Sequence, residues 1–277
     1  MTPALLEIQK LAVAYHVHRQ ECLAVLRGIS LKIQAGQFVA VIGESGCGKS
    51  TLAQAVFRIL PRAAHLASGN ILYDGTDLLL LSRRELRNYL WRRLALVPQD
   101  PAASLNPLMT VGKQIMEPLR QHLQMDRRAA RARALELLAM VQLTDTTRCF
   151  HAYPFEISSG MRQRAVIAMA LACRPALLIA DEPTAAIDAL TQREILGLLF
   201  GLKRELGLTL LYITHDLGLL HGFADRVVVL HDGQVVEDRP ALQVWQDPQH
   251  LYTKSLIAAS RRTGVPLPGS PTNPTLP

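Results

Sequence analysis

The sequence predicts an α/β fold in which a mainly parallel sheet, covered by helices, carries an antiparallel β subdomain and an inserted helical subdomain. Short apolar runs alternate with helical stretches, a pattern typical of parallel sheets. Two Asp-Gly pairs, at 74–75 and 232–233, separate apolar runs and predict hairpin turns. The segment from about Met109 to Phe150 is rich in Leu, Ala, Arg and Gln and has no strand-like run, which predicts helices.

Alternating apolar residues, at Leu6 and Ile8 and again from Ile29 to Ile33, predict the antiparallel layer near the start. A helix is predicted over Thr191–Leu206, because Gly207 supplies a typical helix end. The core strands are predicted at Phe38–Ile42, Leu94–Val97, Ala176–Ala180 and Leu208–Ile213.

Length and composition limit the domain organisation. The chain has 277 residues, of which 49% are hydrophobic, 19% charged and 5% aromatic. This composition excludes a disordered chain, a collagen and a coiled coil. We predict one domain over residues 1–258, with the helical insertion at about 100–165, and a disordered tail over 259–277, which is rich in Gly, Pro, Ser and Thr.

The sequence also carries information on location. No apolar run approaches the ~20 residues that a membrane-spanning helix requires. The N-terminus lacks the cationic start and long apolar stretch of a signal peptide. We therefore expect the chain to remain in the cytoplasm.

Charge and cysteine content leave several partners open. The formal charge of +7 fits nucleic acid, an anionic membrane surface or a polyphosphate ligand equally well. The arginines cluster at 83–93 and 127–133, where solvated helix faces are the simpler interpretation, so no nucleic-acid partner is predicted. The four cysteines show no C-x-x-C spacing and are expected to be isolated, reduced thiols.

A glycine-rich loop after the predicted strand Phe38–Ile42 carries the main chemical signal. It satisfies the pattern G-x-x-x-x-G-K-[ST] and opens a predicted helix that ends near Pro61. Glycines let successive backbone N–H groups turn inward, and the lysine adds a charge for the terminal phosphates of a nucleotide. We expect a P-loop, with Cys47 as a filler and not a nucleophile. Its residues are Gly43, Glu44, Ser45, Gly46, Cys47, Gly48, Lys49, Ser50 and Thr51.

Two adjacent carboxylates follow the predicted strand at 176–180. Asp181 is a candidate Mg²⁺ ligand together with the Ser50 hydroxyl, and Glu182 is a candidate general base for an attacking water. Taken alone, two acidic residues after a strand more often cap the next helix. The P-loop favours the catalytic interpretation.

Polar residues also end two other predicted strands. His215 is placed to bond a terminal phosphate oxygen, and Gln99 to bind Mg²⁺ or orient the water. Tyr15 either stacks on a purine or is simply a buried strand aromatic, and the sequence does not separate these alternatives.

The octet Ile157–Arg164, I-S-S-G-M-R-Q-R, resembles the L-S-G-G-[QM]-x-Q-R signature of ATP-binding-cassette ATPases. It lies between the P-loop and the acidic strand, as in that family, and the resemblance covers residues 4 to about 258. It implies a P-loop NTPase (RecA-like) core that binds ATP and Mg²⁺. It also implies that two cassettes close head to tail around ATP. The nucleotide-contacting residues so implied are Tyr15 in the aromatic loop, Ser158, Ser159, Gly160 and Met161 in the signature, and Asp188 in the D-loop.

Within the family, the segments Gln99–Pro107 and Pro248–Thr253 resemble ATPase subunits of dipeptide, oligopeptide and nickel importers. This resemblance implies a peripheral subunit on the cytoplasmic face of the inner membrane that energises uptake of peptides or a nickel or metal-chelate solute. Its partners would be two permeases docked at Gln99 and the helical insertion, a second ATPase subunit, and indirectly an extracytoplasmic solute-binding protein.

Two other functions compete with this one. A soluble cassette ATPase of DNA repair or translation usually carries a long coiled coil, a zinc insertion or a second cassette, none of which this sequence has. A nucleotide-binding regulatory subunit with weak catalysis is disfavoured, because both Glu182 and His215 are present.

Three positions depart from the family pattern. Ser159 replaces a glycine, Ala185 a serine and Ile187 a leucine. Serine at 159 is strained if the position needs a positive φ and harmless otherwise, which the sequence leaves open. Because a signature completes the partner's site, these changes suggest a heterodimer with unequal ATP sites.

Overall fold

The computed structural model describes residues 4–18, 21–185, 187–220 and 222–262, and these form two sheets and a helical layer. Several core strands begin and end within one residue of the predicted bounds, because each is a short, largely buried and mainly apolar run. The strands are β1 (Leu6–His18), β2 (Glu21–Ile33), β3 (Phe38–Ile42), β4 (Ala64–Tyr73), β5 (Thr76–Asp77), β6 (Leu94–Val97), β7 (Leu177–Asp181), β8 (Thr209–Thr214), β9 (Arg226–His231) and β10 (Gln234–Pro240).

The helices begin and end at recognisable signals. Asp126 and Asp145 accept hydrogen bonds from the first turns of the helices that follow them, and Gly207 ends another helix in the left-handed conformation. The helices are α1 (Lys49–Phe57), α2 (Arg83–Tyr89), α3 (Pro101–Ser104), α4 (Val111–Leu123), α5 (Arg127–Met140), α6 (Thr146–His151), α7 (Ser159–Ala170), α8 (Ala189–Leu206), α9 (Ala241–Gln246) and α10 (Leu251–Arg262).

The larger sheet has six strands in the order β10-β9-β3-β8-β7-β6. All neighbouring pairs are parallel except β9 with β10, which forms the antiparallel hairpin predicted at residues 232–233. The predicted mainly parallel α/β core is therefore confirmed. Its strand order brings the carboxyl ends of β3, β7 and β8 to one edge, where ligands of open α/β sheets bind.

The smaller sheet is antiparallel, in the order β2-β1-β4-β5, and includes the hairpin predicted at residues 74–75. Its buried face packs with α1 and one face of the larger sheet in a common core, represented by Leu6, Ile29, Leu52 and Val41. The P-loop helix is thus held between the two sheets. This position fixes where a bound phosphate would lie.

Helices α4, α5 and α6 form the predicted insertion, with α3 before them and α7 packed against them. Gly112 permits close packing in α4, because a Cβ there would lie 2.2 Å from the Phe150 ring. The predicted helical segment at about 100–165 thus corresponds to α3–α6 and the first half of α7. Helix α7 then leads into the sheet at β7.

The C-terminal helix corrects one predicted boundary. Helix α10 continues to Arg262, past the predicted domain end at residue 258. Buried Glu237 on β10 accepts hydrogen bonds from the backbone N–H groups of Gln249 and His250, so these donors just before α10 have a partner. Within α10, Ile257 is buried in the core. The rest of the predicted tail, residues 263–277, lies outside the described residues. In the described part of the chain, every helix is too short or too polar to cross a bilayer.

Candidate functional site

The predicted P-loop joins β3 to α1 at the carboxyl edge of the larger sheet. Gly46 has φ 86° and Gly48, which precedes α1, has φ 106°. These left-handed conformations favour glycine and turn the backbone around the amino end of α1. The N–H groups in the first turn of α1 have no intrahelical partners and form a site suited to an anion.

Lys49 lies inside this loop and is almost fully buried. Its Nζ donates to the backbone carbonyls of Gly43 and Glu44, both at 2.8 Å, and lies 3.5 Å from Oε1 of Glu182. These partners satisfy the buried ammonium group. The positive charge of Lys49 therefore lies at the amino end of α1.

Glu182 follows β7 and is contacted by side chains that follow β6 and β8. Its Oε2 accepts a hydrogen bond from Nε2 of Gln99 at 3.3 Å and lies 3.2 Å from Nδ1 of His215. Its backbone has φ 42°, an uncommon conformation for a non-glycine residue, and its N–H donates to the carbonyl of Ile213. Together with Lys49, these contacts bring the predicted residues from four segments to one carboxylate.

Asp181 precedes this carboxylate at the end of β7. The Ser50 hydroxyl donates to its Oδ1 at 3.0 Å. Burial raises the pKa of Asp181 above its usual value, the hydrogen bond from Ser50 lowers it, and the Glu182 charge raises it. Neither carboxylate caps the next helix. That role belongs to Asp188, which accepts from Thr191 N at 3.0 Å.

The aromatic residues at the loop come from distant parts of the chain. Tyr15 on β1 is half-buried, and its hydroxyl lies 3.2 Å from Oγ1 of Thr51, so it is adjacent to the P-loop helix. Sequence reasoning missed a second contact: the hydroxyl of Tyr252 accepts a hydrogen bond from the Glu44 N–H at 2.8 Å. The Tyr252 ring also stacks on His231. Its position in α10, some 200 residues from the loop, gave no local signal.

The crevice formed by these segments has a volume of about 200 Å³. Cys47 is buried beside it, and burial raises the pKa of this thiol, which agrees with its predicted role as a filler. A Cβ at Gly43 would lie 2.2 Å from the Leu230 carbonyl oxygen, so the loop is packed closely against β9. The crevice is lined by Ser45, Gly46, Gly48, Lys49, Ser50, Thr51, Gln99 and Glu182.

The signature residues lie at the start of α7, outside the lining of the crevice. The Ser158 hydroxyl accepts from Met161 N at 3.3 Å and caps the helix. A Cβ at Gly160 would lie 3.0 Å from Cγ2 of Thr191, so the signature adjoins the first turn of α8, which Asp188 caps. Ser158 and Asp188 are both exposed. Among the described residues, the predicted signature and D-loop thus share one surface, separate from this chain's own P-loop crevice.

The backbone at Ser159 resolves the alternative that the sequence left open. Ser159 is the first residue of α7 and does not have a positive φ. A side chain is therefore accommodated without backbone strain. Any effect of this serine must come from its side-chain atoms.

Comparison with protein families finds a match to the model described as ABC transporter, over residues 26–185. This range includes the P-loop, the signature and the acidic strand. The chain belongs to the ABC transporter family. It is similar to the oligopeptide transport ATP-binding protein OppD of Bacillus subtilis, at 42% identity over 92% of this chain and 71% of OppD. It is also similar to the peptidoglycan transport ATP-binding protein YejF of Agrobacterium fabrum, at 46% identity over 96% of this chain but 48% of YejF.

Solved structures of the family have the same fold. The dimeric ATP-binding cassette MJ0796, described in a post-hydrolysis state with ADP and Pi, matches with a TM-score of 0.76 and 30% identity over 85% of this chain and 98% of that one. CbiO1 of Clostridium perfringens matches with a TM-score of 0.75 and 27% identity over 88% of this chain and 92% of that one. As a member of this family, the chain is an ABC-type ATPase.

Proposed function

We propose that this chain is the ATP-hydrolysing subunit of an importer for peptides, attached to the cytoplasmic face of the membrane through partner permeases. The convergence of Lys49, Gln99 and His215 on the Glu182 carboxylate carries the chemical part of the proposal. The part that concerns the solute rests on the sequence relatives.

In the proposed reaction, Lys49 and the N–H groups of the P-loop bind the terminal phosphates of ATP. Glu182 accepts the proton of the attacking water, and Gln99 orients that water through its amide. His215 contacts the γ-phosphate from the end of β8. These residues contact one another in the structure, and this proximity supports their assignment to one reaction.

The same crevice fits Mg²⁺. The hydroxyl of Ser50 and the carboxylate of Asp181 are hard oxygen donors already 3.0 Å apart, and the Gln99 amide oxygen is a third candidate. A bound Mg²⁺ would neutralise phosphate charge and orient the phosphate oxygens. The cation would also offset the cost of the buried Asp181 charge, which fits the raised pKa of this residue.

A second ATPase subunit is proposed to complete the site. The crevice of about 200 Å³ is smaller than the ~300–1,000 Å³ typical of ligand pockets, which fits a site closed by another surface. The exposed Ser158 and Asp188 and the amino end of α7 offer such a surface to a facing subunit. ATP would stabilise the closed dimer because the γ-phosphate contacts both chains only in that state. With serine at 159, we propose a heterodimer whose two ATP sites differ.

A groove beside Gln99 supports the proposed permease contact. It has a volume of about 350 Å³, is mainly apolar and lies between β6 and helices α1 and α7. Ile59 is half exposed at its rim, and Pro98 on its wall directly precedes Gln99. A helix seated there would contact the segment that orients the water, so docking would be linked to hydrolysis. The lining includes Phe57, Leu90, Trp91, Leu96, Val166 and Met169.

Peptides are proposed as the solute because of the relatives. Besides OppD, the chain is similar to the dipeptide transport protein DppD of Bacillus subtilis at 39% identity, over 96% of this chain and 81% of DppD. Specificity is expected to reside in the permeases and in an extracytoplasmic solute-binding protein. The nickel or metal-chelate alternative stays an untested prediction.

The test is reconstitution of the chain with its permeases and second ATPase in proteoliposomes containing the solute-binding protein. We expect ATP-dependent uptake of labelled peptide and peptide-stimulated ATP hydrolysis. The variant Ile59→Glu should reduce both while leaving ATP affinity of the isolated subunit unchanged. Hydrolysis stimulated by nucleic acid or ribosomes, with no association with permeases, would instead support the soluble ATPase alternative.

A further inference from the structure

Three strands of the antiparallel sheet bring two imidazoles and a thiol together. His16 on β1 is directly opposite Cys22 on β2. On the other side of β1, His65 of β4 is opposite Ala14, two residues before His16. Because side chains alternate between the faces of a sheet, residues in these positions project from the same face. This group, His16, Cys22 and His65, is called the His-Cys-His cluster below.

The distances within the His-Cys-His cluster suit a common ligand. Sγ of Cys22 lies 3.3 Å from Nδ1 of His16, and the rings of His16 and His65 stack with centroids 4.6 Å apart. One ligand atom from each residue lies within 4.8 Å of the others. In a tetrahedral zinc centre with two nitrogen ligands and one sulfur ligand, these atoms are separated by about 3.3–3.5 Å, given Zn–N of about 2.0 Å and Zn–S of about 2.3 Å. Small side-chain rotations therefore suffice to bind one ion.

We propose that the His-Cys-His cluster is a Zn²⁺-binding site with three protein ligands and a fourth position open to solvent. Two imidazoles and a thiolate form a donor set that suits zinc. No sequence motif marks this site, because the ligands come from three strands and lack paired spacing. The proposal does not depend on the transport function.

Accessibility distinguishes Cys22 from the other cysteines. Cys22 is exposed, whereas Cys47, Cys149 and Cys173 are buried. Burial raises the pKa of the three buried thiols, to about 11 for Cys173, which disfavours the thiolate that a metal requires. Cys22, the exposed cysteine, is also the one that lies beside two histidines.

A bound ion would connect β2, β1 and β4 at the end of the sheet that carries Tyr15. Because the ligands are brought together only in the folded chain, zinc binding would stabilise the folded state. The expected sign is a rise in the melting temperature with zinc concentration. The effect requires all three ligands.

The experiment titrates Zn²⁺ into the reduced full-length chain, in a buffer that contains excess Mg²⁺ to occupy the carboxylate of Asp181. Stoichiometry and affinity are measured by competition with a chromophoric chelator, and Co²⁺ is used as a spectroscopic substitute. We expect one Zn²⁺ per chain and a thiolate-to-cobalt charge-transfer band. Cys22→Ser and His65→Asn should each weaken zinc binding by at least about tenfold. His151→Asn, which changes an exposed histidine elsewhere, is the matched control and should bind zinc like the wild type.

Thermal unfolding separates loss of the site from loss of the fold. Without zinc, we expect Cys22→Ser and His65→Asn to melt like the wild type, since they change residues at the end of the sheet. With zinc, only the wild type and His151→Asn should gain stability. Absence of stoichiometric binding, or binding that survives both substitutions in the cluster, would overturn the proposal.

Discussion

The ammonium group of Lys49 lies 3.5 Å from Oε1 of Glu182, and their side chains are only 3% and 11% exposed. In the structure, Lys49 is thus neutralised by the residue proposed as the base. An arriving phosphate would provide Lys49 with another anion and release Glu182 to accept a proton from water. Removing either partner leaves the other charge buried and unpaired, which is costly.

The first prediction concerns Lys49→Ala. Lys49 and the terminal phosphates of ATP are proposed to form a buried, hydrogen-bonded charge pair. Truncating one partner of such a pair costs about 2–5 kcal/mol, so ATP affinity should fall by roughly thirtyfold or more. Equilibrium binding of a fluorescent ATP analogue measures this change. Lys113→Ala, which removes an exposed lysine from α4, is the control. Equal affinity in the two variants would exclude Lys49 from phosphate binding.

The second prediction separates the two interpretations of Tyr15. If the ring stacks on adenine, Tyr15→Ala should lose about 1–3 kcal/mol of ATP binding, the range for stacking of a base on an aromatic side chain. Tyr15→Phe keeps the ring and should bind ATP almost normally, although it loses the hydroxyl contact with Thr51. Calorimetric titration with ATP gives both values. Unchanged ATP affinity in Tyr15→Ala would instead support the second interpretation, a strand aromatic that makes no contact with the nucleotide.

The third prediction concerns Ser159, whose backbone is helical. Ser159→Gly should raise the ATPase rate of the assembled transporter, because it removes a side chain proposed to lie near the partner's γ-phosphate. The isolated subunit should become slightly less stable, by at most about 1 kcal/mol, since glycine is a poor helix former. Ser159→Ala distinguishes the hydroxyl from the Cβ. An unchanged ATPase rate in Ser159→Gly would show that the serine does not weaken the site.

The fourth prediction is a pH dependence at Asp181, whose pKa is raised mainly by burial. A raised folded-state pKa means that the folded chain holds this proton more tightly than the unfolded chain. The buried charge therefore destabilises the fold above the folded-state pKa, and this penalty disappears as the pH falls through that pKa to the ordinary pKa of an aspartate, 3.8. Asp181→Asn should raise the melting temperature at pH 7.5, and less at lower pH.

This melting experiment has a clear contrary result. A variant that melts lower than wild type at pH 7.5 in the absence of nucleotide and Mg²⁺ would show that the contacts of Asp181 outweigh its desolvation. The same variant should lose Mg²⁺-dependent ATP hydrolysis, measured in parallel. Gain of stability together with loss of activity is the expected combination.

The sequence predicted the parts of the site that depend on local order. The spacing from Gly43 to Thr51 requires a loop between a strand and a helix, and the apolar runs before Asp181 and His215 require buried strands. Because these strands are parallel neighbours, their ends had to meet at one edge. The convergence on Glu182 follows from that topology.

Other features depend on tertiary contacts and had no local signal. The bond between Tyr252 and the Glu44 N–H joins residues at opposite ends of the chain, and the His-Cys-His cluster depends on the register of three strands. The backbone at Ser159 is set by the start of a helix that the octet alone did not specify. The domain end at residue 258 was predicted from composition, whereas the helix that contains buried Ile257 continues to Arg262.

The most direct test of the account is ATP hydrolysis by the assembled transporter carrying Glu182→Gln, measured with binding of labelled ATP to the same sample. Glutamine keeps the size of the side chain and a hydrogen-bonding amide but does not accept a proton as a base. We predict that ATP binds with near wild-type affinity, that turnover falls by about 10²–10⁴-fold, and that the two ATPase subunits stay associated while ATP is bound. Turnover at the wild-type rate would contradict the assignment of Glu182 as the base.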